Sequence, residues 1–217
     1  MSRGKETKAR LLQNALRLMW LRGYGSMTID EICERAAVSK GSFYHFFPGK
    51  AEVAAAALES YWDSIKPDFD RILSSQNHSP VEKIEAYFDH AYYRQVRRKQ
   101  TMGQVMGCPF ATLGGEVSKH DSAFARKVRD LMKRYCAYFE GALREGQKLG
   151  HIRIKDPAAK ARELFAYLEG SLTQARIHND TTLIKNLSAG VRPMLGLDQD
   201  QKPRRKRKSS LQLDEVV

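Results

Sequence analysis

Apolar residues recur every three or four positions along most of this chain, which is the spacing of amphipathic helices. The first such run contains Leu11, Ala15 and Leu18, and it predicts a helix over about residues 5–22. Stretches that alternate apolar and polar residues, as half-buried strands do, are nearly absent. The pattern therefore predicts an all-α protein.

Two short helices are predicted next. Thr28 followed by Glu31 has the form of a capping box, in which a hydroxyl and a carboxylate each bond a free backbone amide. Ser39 is placed to cap a second short helix that ends near Phe46. Two short helices joined by a tight turn at residues 37–39 predict an N-terminal three-helix helix-turn-helix domain.

Longer helices follow, and they predict a helical bundle. Their expected starts are Lys50, Ser79, Asp121, Asp156 and Thr181. Pro67 is predicted to kink or end the first of them, residues 102–115 are glycine-rich and predicted to be irregular, and the last helix is predicted over residues 181–194. The expected domains are a DNA-binding head (residues 1–50), the bundle (51–196) and a basic, disordered tail (197–217).

The charge of the chain changes this picture, because 37 basic residues against 25 acidic ones give a net charge of +12. Such an excess suggests a polyanionic partner, either nucleic acid or an anionic membrane. The excess lies at the two ends, in residues 1–50 and in the KPRRKRK run at residues 202–208, which we expect to add non-specific attraction to DNA. Since no signal peptide or membrane span is evident and the three cysteines suggest a reducing compartment, we expect a cytoplasmic protein without membrane contact.

The second short helix has the chemistry of a recognition helix, which lies in the major groove of DNA. Lys40 can neutralise a phosphate or donate to guanine, and Ser42 and His45 can hydrogen-bond a phosphate or a base edge. Tyr44 offers a hydroxyl and a flat apolar face, and Gly41 lets the backbone approach the duplex closely. A helical hairpin with a solvated polar face is the alternative, but it does not account for this surface beside a basic N-terminal arm.

The arm contains Arg3, Lys5 and Lys8, which either follow the DNA backbone or form an ordinary charged terminus. Thr28 and Lys50 stand at helix N-termini, where free amides favour a phosphate. The predicted DNA-binding residues are Thr28, Ser39, Lys40, Gly41, Ser42, Tyr44, His45 and Lys50.

The sequence from Thr28 to Lys50, TIDEICERAAVSKGSFYHFFPGK, resembles the DNA-binding domain of the tetracycline-repressor (TetR) family. The resemblance implies a transcriptional repressor that leaves a palindromic operator when a small-molecule effector binds. It also implies phosphate contacts from Thr28 and Lys50, and a homodimer held by the last two long helices, here residues 156–179 and 181–194. Pro48-Gly49 departs from the family, which more often has a polar residue before this lysine.

The expected dimer stripes and the expected ligand wall are apolar and aromatic side chains at helical spacing, which are also the usual content of a protein core. The stripes contain Ala161, Leu164, Phe165, Leu168, Leu172 and Ala175 on one helix and Leu183, Leu187, Val191 and Met194 on the other. The candidate ligand-binding residues are Trp62, Tyr93, Met102, Met106, Cys108, Phe110, Tyr135 and Tyr138.

Cys108 is also a candidate sensor, within a predicted hinge at residues 103–115. A thiol at a helix N-terminus is biased toward the reactive thiolate, and the Gly-Cys pair resembles a branch of the family in which some members respond to electrophiles. The alternative is a buried cysteine that fills space, which is our interpretation of Cys33 and Cys136.

Two other functions, an enzyme and a non-specific architectural DNA binder, fit the sequence less well than a regulator. The chain has no phosphate-binding loop, no dinucleotide turn, no nucleophile elbow and no metal-ligand spacing among its 6 histidines, so we expect no enzyme, no cofactor and no metal. A non-specific architectural DNA binder would need basic residues along a whole face, whereas here they lie at the ends.

Overall fold

The computed structural model describes residues 3–117 and 123–197, and within these ranges the chain is helical and contains no strand. The helices are α1 (Arg3–Arg22), α2 (Ile29–Ala36), α3 (Lys40–Phe46), α4 (Lys50–Leu73), α5 (Pro80–Met102), α6 (Pro109–Val117), α7 (Ala123–Lys148), α8 (Pro157–Ile177) and α9 (Val191–Met194). The all-α prediction is confirmed. The Asp121 cap and the basic run at residues 202–208 lie outside the described residues.

Local capping fixes where several helices begin. The Ser39 hydroxyl accepts the Ser42 amide (3.2 Å), and the Asp156 carboxylate accepts the Ala159 amide (3.0 Å). At the start of α5, Ser79 forms a complete capping box. These contacts satisfy amides that have no partner inside the helix.

The capping box expected at α2 is only half formed. The Thr28 hydroxyl accepts the Glu31 amide (3.2 Å), as predicted. The Glu31 carboxylate does not reach back, because it bonds Arg22 (2.6 Å) and Arg35 (3.3 Å) instead. Glu31 therefore joins α2 to the end of α1.

Helices α1, α2 and α3 pack around a small apolar core at the N-terminus. Leu11, Ala15, Ile32 and Phe43 are all fully buried there. Phe43 holds the inner side of α3, and Phe47 covers it from the following turn. The outer side of α3 is thereby turned to solvent.

Helices α4, α5, α7 and α8 form the body, with an aromatic layer at its centre. The Phe69 ring lies 4.6 Å from Tyr87 and 4.7 Å from Tyr135, measured between centroids. A buried lysine, Lys83 of α5, bonds Glu145 of α7 at 2.6 Å, so its charge is paired. Within the described residues, no helix is long and apolar enough to cross a membrane.

Two predictions about the course of the helices are corrected. Helix α4 does not end at Pro67 but continues to Leu73, with Pro67 on its exposed side. Only the first half of residues 102–115 is irregular, because α6 begins at Pro109.

The long helix predicted over residues 181–194 does not form. The chain makes two 3₁₀ turns, Thr181–Ile184 and Leu187–Gly190, before the four-residue helix α9. Pro193 has no amide to donate to the Ala189 carbonyl, and Gly190 is unfavourable in a helix interior, which disfavours an α-helix through this pair. Neither residue accounts for the earlier break at Lys185 and Asn186.

The stripes expected at the dimer interface mostly close the core of the protomer itself. All six predicted residues of α8 are buried, and so are Leu187 and Val191. Leu183 is exposed and Met194 is partly buried. An interface on α8 has to use its other side.

Candidate DNA-binding surface and effector cavity

The outer side of α3 is a continuous polar surface. Lys40, Gly41, Ser42, Tyr44 and His45 are exposed, and Tyr44 keeps 55% of its surface in water. The sharp turn before α3 depends on Ala37, whose left-handed conformation (φ 50°) lets its amide bond carbonyl oxygens at the end of α2. This geometry presents α3 as a recognition helix is presented to a major groove.

The beginning of α1 lies beside this surface. Gly4, Thr7 and Arg10 line a groove whose other wall contains Ser39, Ser42 and His45. The expectation of a basic arm ahead of the first helix is corrected, because α1 already begins at Arg3 and carries Lys5 and Lys8 on its first turns.

Both lysines among the predicted DNA contacts already have partners within the protein. The Lys40 ammonium pairs with Asp30 at 2.7 Å, an exposed ion pair. The Lys50 ammonium donates to the Gly25 carbonyl (3.0 Å) and lies 4.7 Å from the centroid of the Tyr24 ring. Burial lowers the pKa of Lys50. Lys50 thus ties the end of α1 to the start of α4, and its predicted phosphate contact remains a prediction.

A second site is a cavity in the body, bounded by α4, α5, α7, α8 and the start of α6. It encloses about 30 Å³. Its wall contains Tyr61, Ile65, Tyr87, Ala91, Arg94, Gln95, Arg98, Gly107, Cys108, Pro109, Phe110, Tyr135 and Leu172. We call it the effector cavity, after the small-molecule effector that the sequence analysis predicts.

Three of the eight predicted ligand-binding residues line this cavity, namely Cys108, Phe110 and Tyr135. Trp62 and Tyr138 belong to the aromatic cluster around Phe69, outside the lining residues. Met102 and Met106 do not line it either.

Tyr93 is 65% exposed and is not among the residues that line the cavity, so its ligand contact stays a prediction. The face of α5 that lines the cavity carries Ala91, Arg94, Gln95 and Arg98, at helical spacing. Tyr93 is two residues from Ala91, which places it on the far side of the helix.

The polar residues of the cavity wall were not predicted from the sequence. Arg94 and Arg98 each donate to the Tyr61 hydroxyl at 2.6 Å, so two guanidinium groups converge on one oxygen. Gln95 accepts the amides of Met106 (3.2 Å) and Gly107 (3.0 Å) and donates to the Gly107 carbonyl (3.0 Å). The spacing of arginines 94 and 98 on one helix face was the available signal.

The predicted hinge is held in place by these contacts. Gly107 has a φ of +67°, a conformation that favours glycine, and a Cβ there would meet Arg176 at 3.4 Å. Residues Val105 to Phe110 are buried. Residues Gly107 to Phe110 are part of the cavity wall, and a hinge motion of this segment stays a prediction.

Cys108 lies at the N-terminus of α6, as predicted, but its environment does not favour the thiolate. Burial raises the pKa of the thiol well above its ordinary value, and Glu169 of α8 raises it further. Both Glu169 oxygens are buried against this thiol, and neither has a conventional hydrogen-bond partner in the described part of the chain. Burial raises the pKa of Glu169 to about 7. The expected activation by the helix N-terminus is therefore outweighed.

The cavity and the head meet at Trp20 of α1. The Arg98 guanidinium lies 4.5 Å from the Trp20 ring centroid. The Trp20 indole donates to the Met106 carbonyl (2.8 Å), and Arg176 donates to the Trp20 carbonyl (2.8 Å). A shift in the cavity wall has a direct path to α1.

Among residues 3–117 and 123–197, no group of three or more His, Cys, Asp or Glu side chains is arranged to hold a metal ion.

Comparison with known proteins identifies the family of this chain. Residues 11–57 match the model for bacterial regulatory proteins of the TetR family, and residues 80–191 match the model for the tetracyclin repressor-like C-terminal domain. The chain belongs to the TetR family. It is accordingly a DNA-binding transcriptional regulator.

Curated relatives of this TetR-family chain include the HTH-type transcriptional repressor NemR of Escherichia coli K12, 25% identical over 88% of this chain and 94% of the relative. The transcriptional regulator AcuR of Cereibacter sphaeroides is 26% identical over 77% of this chain and 75% of the relative.

Solved structures show the same fold. The reduced form of E. coli NemR superposes with a TM-score of 0.72 at 26% identity, covering 87% of this chain and 97% of that one. A TetR-family regulator from Agrobacterium tumefaciens gives a TM-score of 0.75 at 21% identity, covering 89% and 97%.

Proposed function

We propose that this regulator is a repressor that binds a palindromic operator as a homodimer and releases it when a small-molecule effector enters the effector cavity. The observation that carries the proposal is the polar outer side of α3, which Phe43 holds toward solvent. The names of relatives such as NemR support repression. The proposed domains are the head at residues 1–50 and the bundle at 51–196.

The proposed DNA contacts are the eight predicted residues. Ser42, Tyr44 and His45 would contact bases or phosphates from α3, and Thr28 would hold a phosphate at the start of α2. Lys40 and Lys50 would exchange their present partners, Asp30 and the Gly25 carbonyl, for phosphate oxygens.

Footprinting on genomic fragments of the source strain tests this function. A regulator protects one short palindrome, whereas an architectural protein protects no unique site. Protection spread evenly along every fragment would contradict the proposal. Adding candidate metabolites to the bound fragments then identifies compounds that cause release.

The proposed dimer interface uses the exposed side of α8. Ala166, Gly170, Thr173 and Ile177 lie there at helical spacing, and Ile177 is 66% exposed. Small side chains permit two helices to approach closely, and the exposed isoleucine supplies apolar surface. This choice replaces the predicted stripes, which are occupied within the protomer.

Gly170→Arg should convert the dimer into monomers. A Cβ at Gly170 meets nothing within 4 Å, so the new side chain fits the protomer but would lie between two α8 helices. Sedimentation velocity measures the mass, and Ser60→Arg on the exposed side of α4 is the matched control. A Gly170→Arg protein that remains a dimer would place the interface elsewhere.

A further inference from the structure

The effector cavity contains two positive charges without a negative partner. Arg94 and Arg98 are partly buried in its wall, and a guanidinium cannot be deprotonated in a protein. Among the described residues, neither forms an ion pair with a carboxylate; both donate to the neutral Tyr61 hydroxyl. Charges withdrawn from water are costly unless they are paired.

Nearby carboxylates do not fill this role. Asp68, whose charge is felt by Arg94, bonds His90 (3.0 Å) and Arg71 (3.0 Å) instead. Glu169 of α8 lies against Cys108 and is not among the residues that line the cavity. The converging donors of Arg94 and Arg98 are therefore available to an anion that enters the cavity.

The size and lining of the cavity narrow the kind of anion. About 30 Å³ is a few times the space that one water requires. Apart from Gln95, whose amide is bonded to the backbone of Met106 and Gly107, most of the remaining wall is apolar or aromatic, with Ile65, Ala91 and Leu172 among its residues. A planar carboxylate matches the fork geometry of guanidinium groups, and a short hydrocarbon part would suit the wall.

We infer that the effector cavity binds a small monocarboxylate, whose oxygens accept hydrogen bonds from Arg94 and Arg98, and that Arg98 passes this event to α1 through Trp20. The inference rests on the proposed function for its regulatory consequence. Arg98 now stacks on the Trp20 ring, so a carboxylate that draws the guanidinium into the cavity weakens a contact between body and head.

The test compares sodium propanoate with propanamide, which has nearly the same shape and no charge. Both are titrated into the full chain at constant ionic strength. The protein has 2 tryptophans, so in a Trp62→Phe background the emission reports Trp20 alone. Propanoate is expected to change this emission saturably and to weaken operator binding, and propanamide to do neither.

Variants assign the effect to the two arginines. Arg94→Gln and Arg98→Gln are expected to weaken propanoate binding at least about tenfold, the effect of losing one hydrogen bond to a charged group. Arg97→Gln, on the exposed side of the same helix, is the matched control and should bind propanoate normally. Arg98→Lys keeps the positive charge but lacks the forked donors of the guanidinium, so its affinity for propanoate should lie between those of the wild type and Arg98→Gln. This variant keeps the test decisive if a glutamine variant unfolds.

Three results would overturn the inference: no saturable response to propanoate, an equal response to propanamide, or an equal loss of binding in Arg97→Gln. The fluorescence titration needs no DNA, so its failure is distinct from failure of the proposed function. If the protein protects one unique DNA site but does not respond to propanoate, the proposed function stands and the carboxylate inference is wrong.

Discussion

The outer side of α3, which we call the recognition surface, and the effector cavity use the same residue types in opposite ways. On α3, Tyr44 is 55% exposed and Lys40 holds only an exposed ion pair. In the cavity, the hydroxyls of Tyr87 and Tyr135 bond each other at 2.5 Å, and burial raises the pKa of both phenols.

This difference indicates how each site meets its partner. DNA brings its own charges, so the head can leave its polar groups in water until the duplex arrives. The cavity has already desolvated its polar groups, so a ligand must offer better partners than the ones it displaces. The head is therefore organised for charge and shape, and the cavity for exchange of hydrogen bonds.

The largest expected effect is that of Tyr44→Ala on α3, and Tyr93→Ala on α5 is its control, since these tyrosines are 55% and 65% exposed. Tyr44→Ala should cost about 1–3 kcal/mol of operator binding per half-site, doubled in a symmetric dimer, because it removes one proposed DNA contact. Tyr93→Ala should change neither operator binding nor stability. Gel shifts and urea unfolding measure both, and equal losses in the two variants would contradict the assignment of α3.

The second prediction concerns Glu169, the buried carboxyl group of the cavity region. Burial raises its pKa from 4.5 to about 7, so folding favours the protonated form. Stability is then expected to fall as the pH rises from about 4.5 to about 7, and to stay lower above that range. A difference of this size corresponds to about 3 kcal/mol.

Glu169→Gln removes the group that titrates and keeps its shape. The variant should be more stable than the wild type at pH 8 by up to this amount, with little difference at pH 5. Urea unfolding at both values measures the change, and Glu163→Gln, exposed on the same helix, is the control. A Glu169→Gln variant that is less stable at pH 8 would mean that the carboxylate has a partner that stabilises it.

The contrast between the two regions also explains what could be predicted from the sequence. Ser39, Ser79 and Asp156 were recognised because a cap depends on residues three or four positions away. The cavity depends on contacts between distant segments, such as Arg98 with Tyr61, so its polar residues were missed. Tyr93 was predicted at the ligand site but lies outside the cavity lining, because residue type alone does not say which side of a helix faces inward.

The C-terminal segment failed for a different reason. Its apolar residues keep helical spacing, which predicted one helix over residues 181–194, but the chain forms two 3₁₀ turns and the short helix α9 there. Leu187 and Val191 are buried all the same. The spacing correctly indicated that both residues are buried, but it did not determine the backbone conformation that buries them.

The smallest expected effect concerns Asp30, whose carboxylate pairs with Lys40 at 2.7 Å on the recognition surface. Asp30→Asn should leave stability unchanged, because an exposed ion pair contributes little. It should tighten operator binding a few-fold at low salt, since it frees the Lys40 ammonium and removes a negative charge beside a proposed DNA contact. The gain should disappear at high salt, where screening weakens both interactions. Asp63→Asn makes the same charge change on the exposed side of α4, away from α3. If that variant gains as much affinity, net charge is responsible and the pairing of Lys40 has no part in DNA binding.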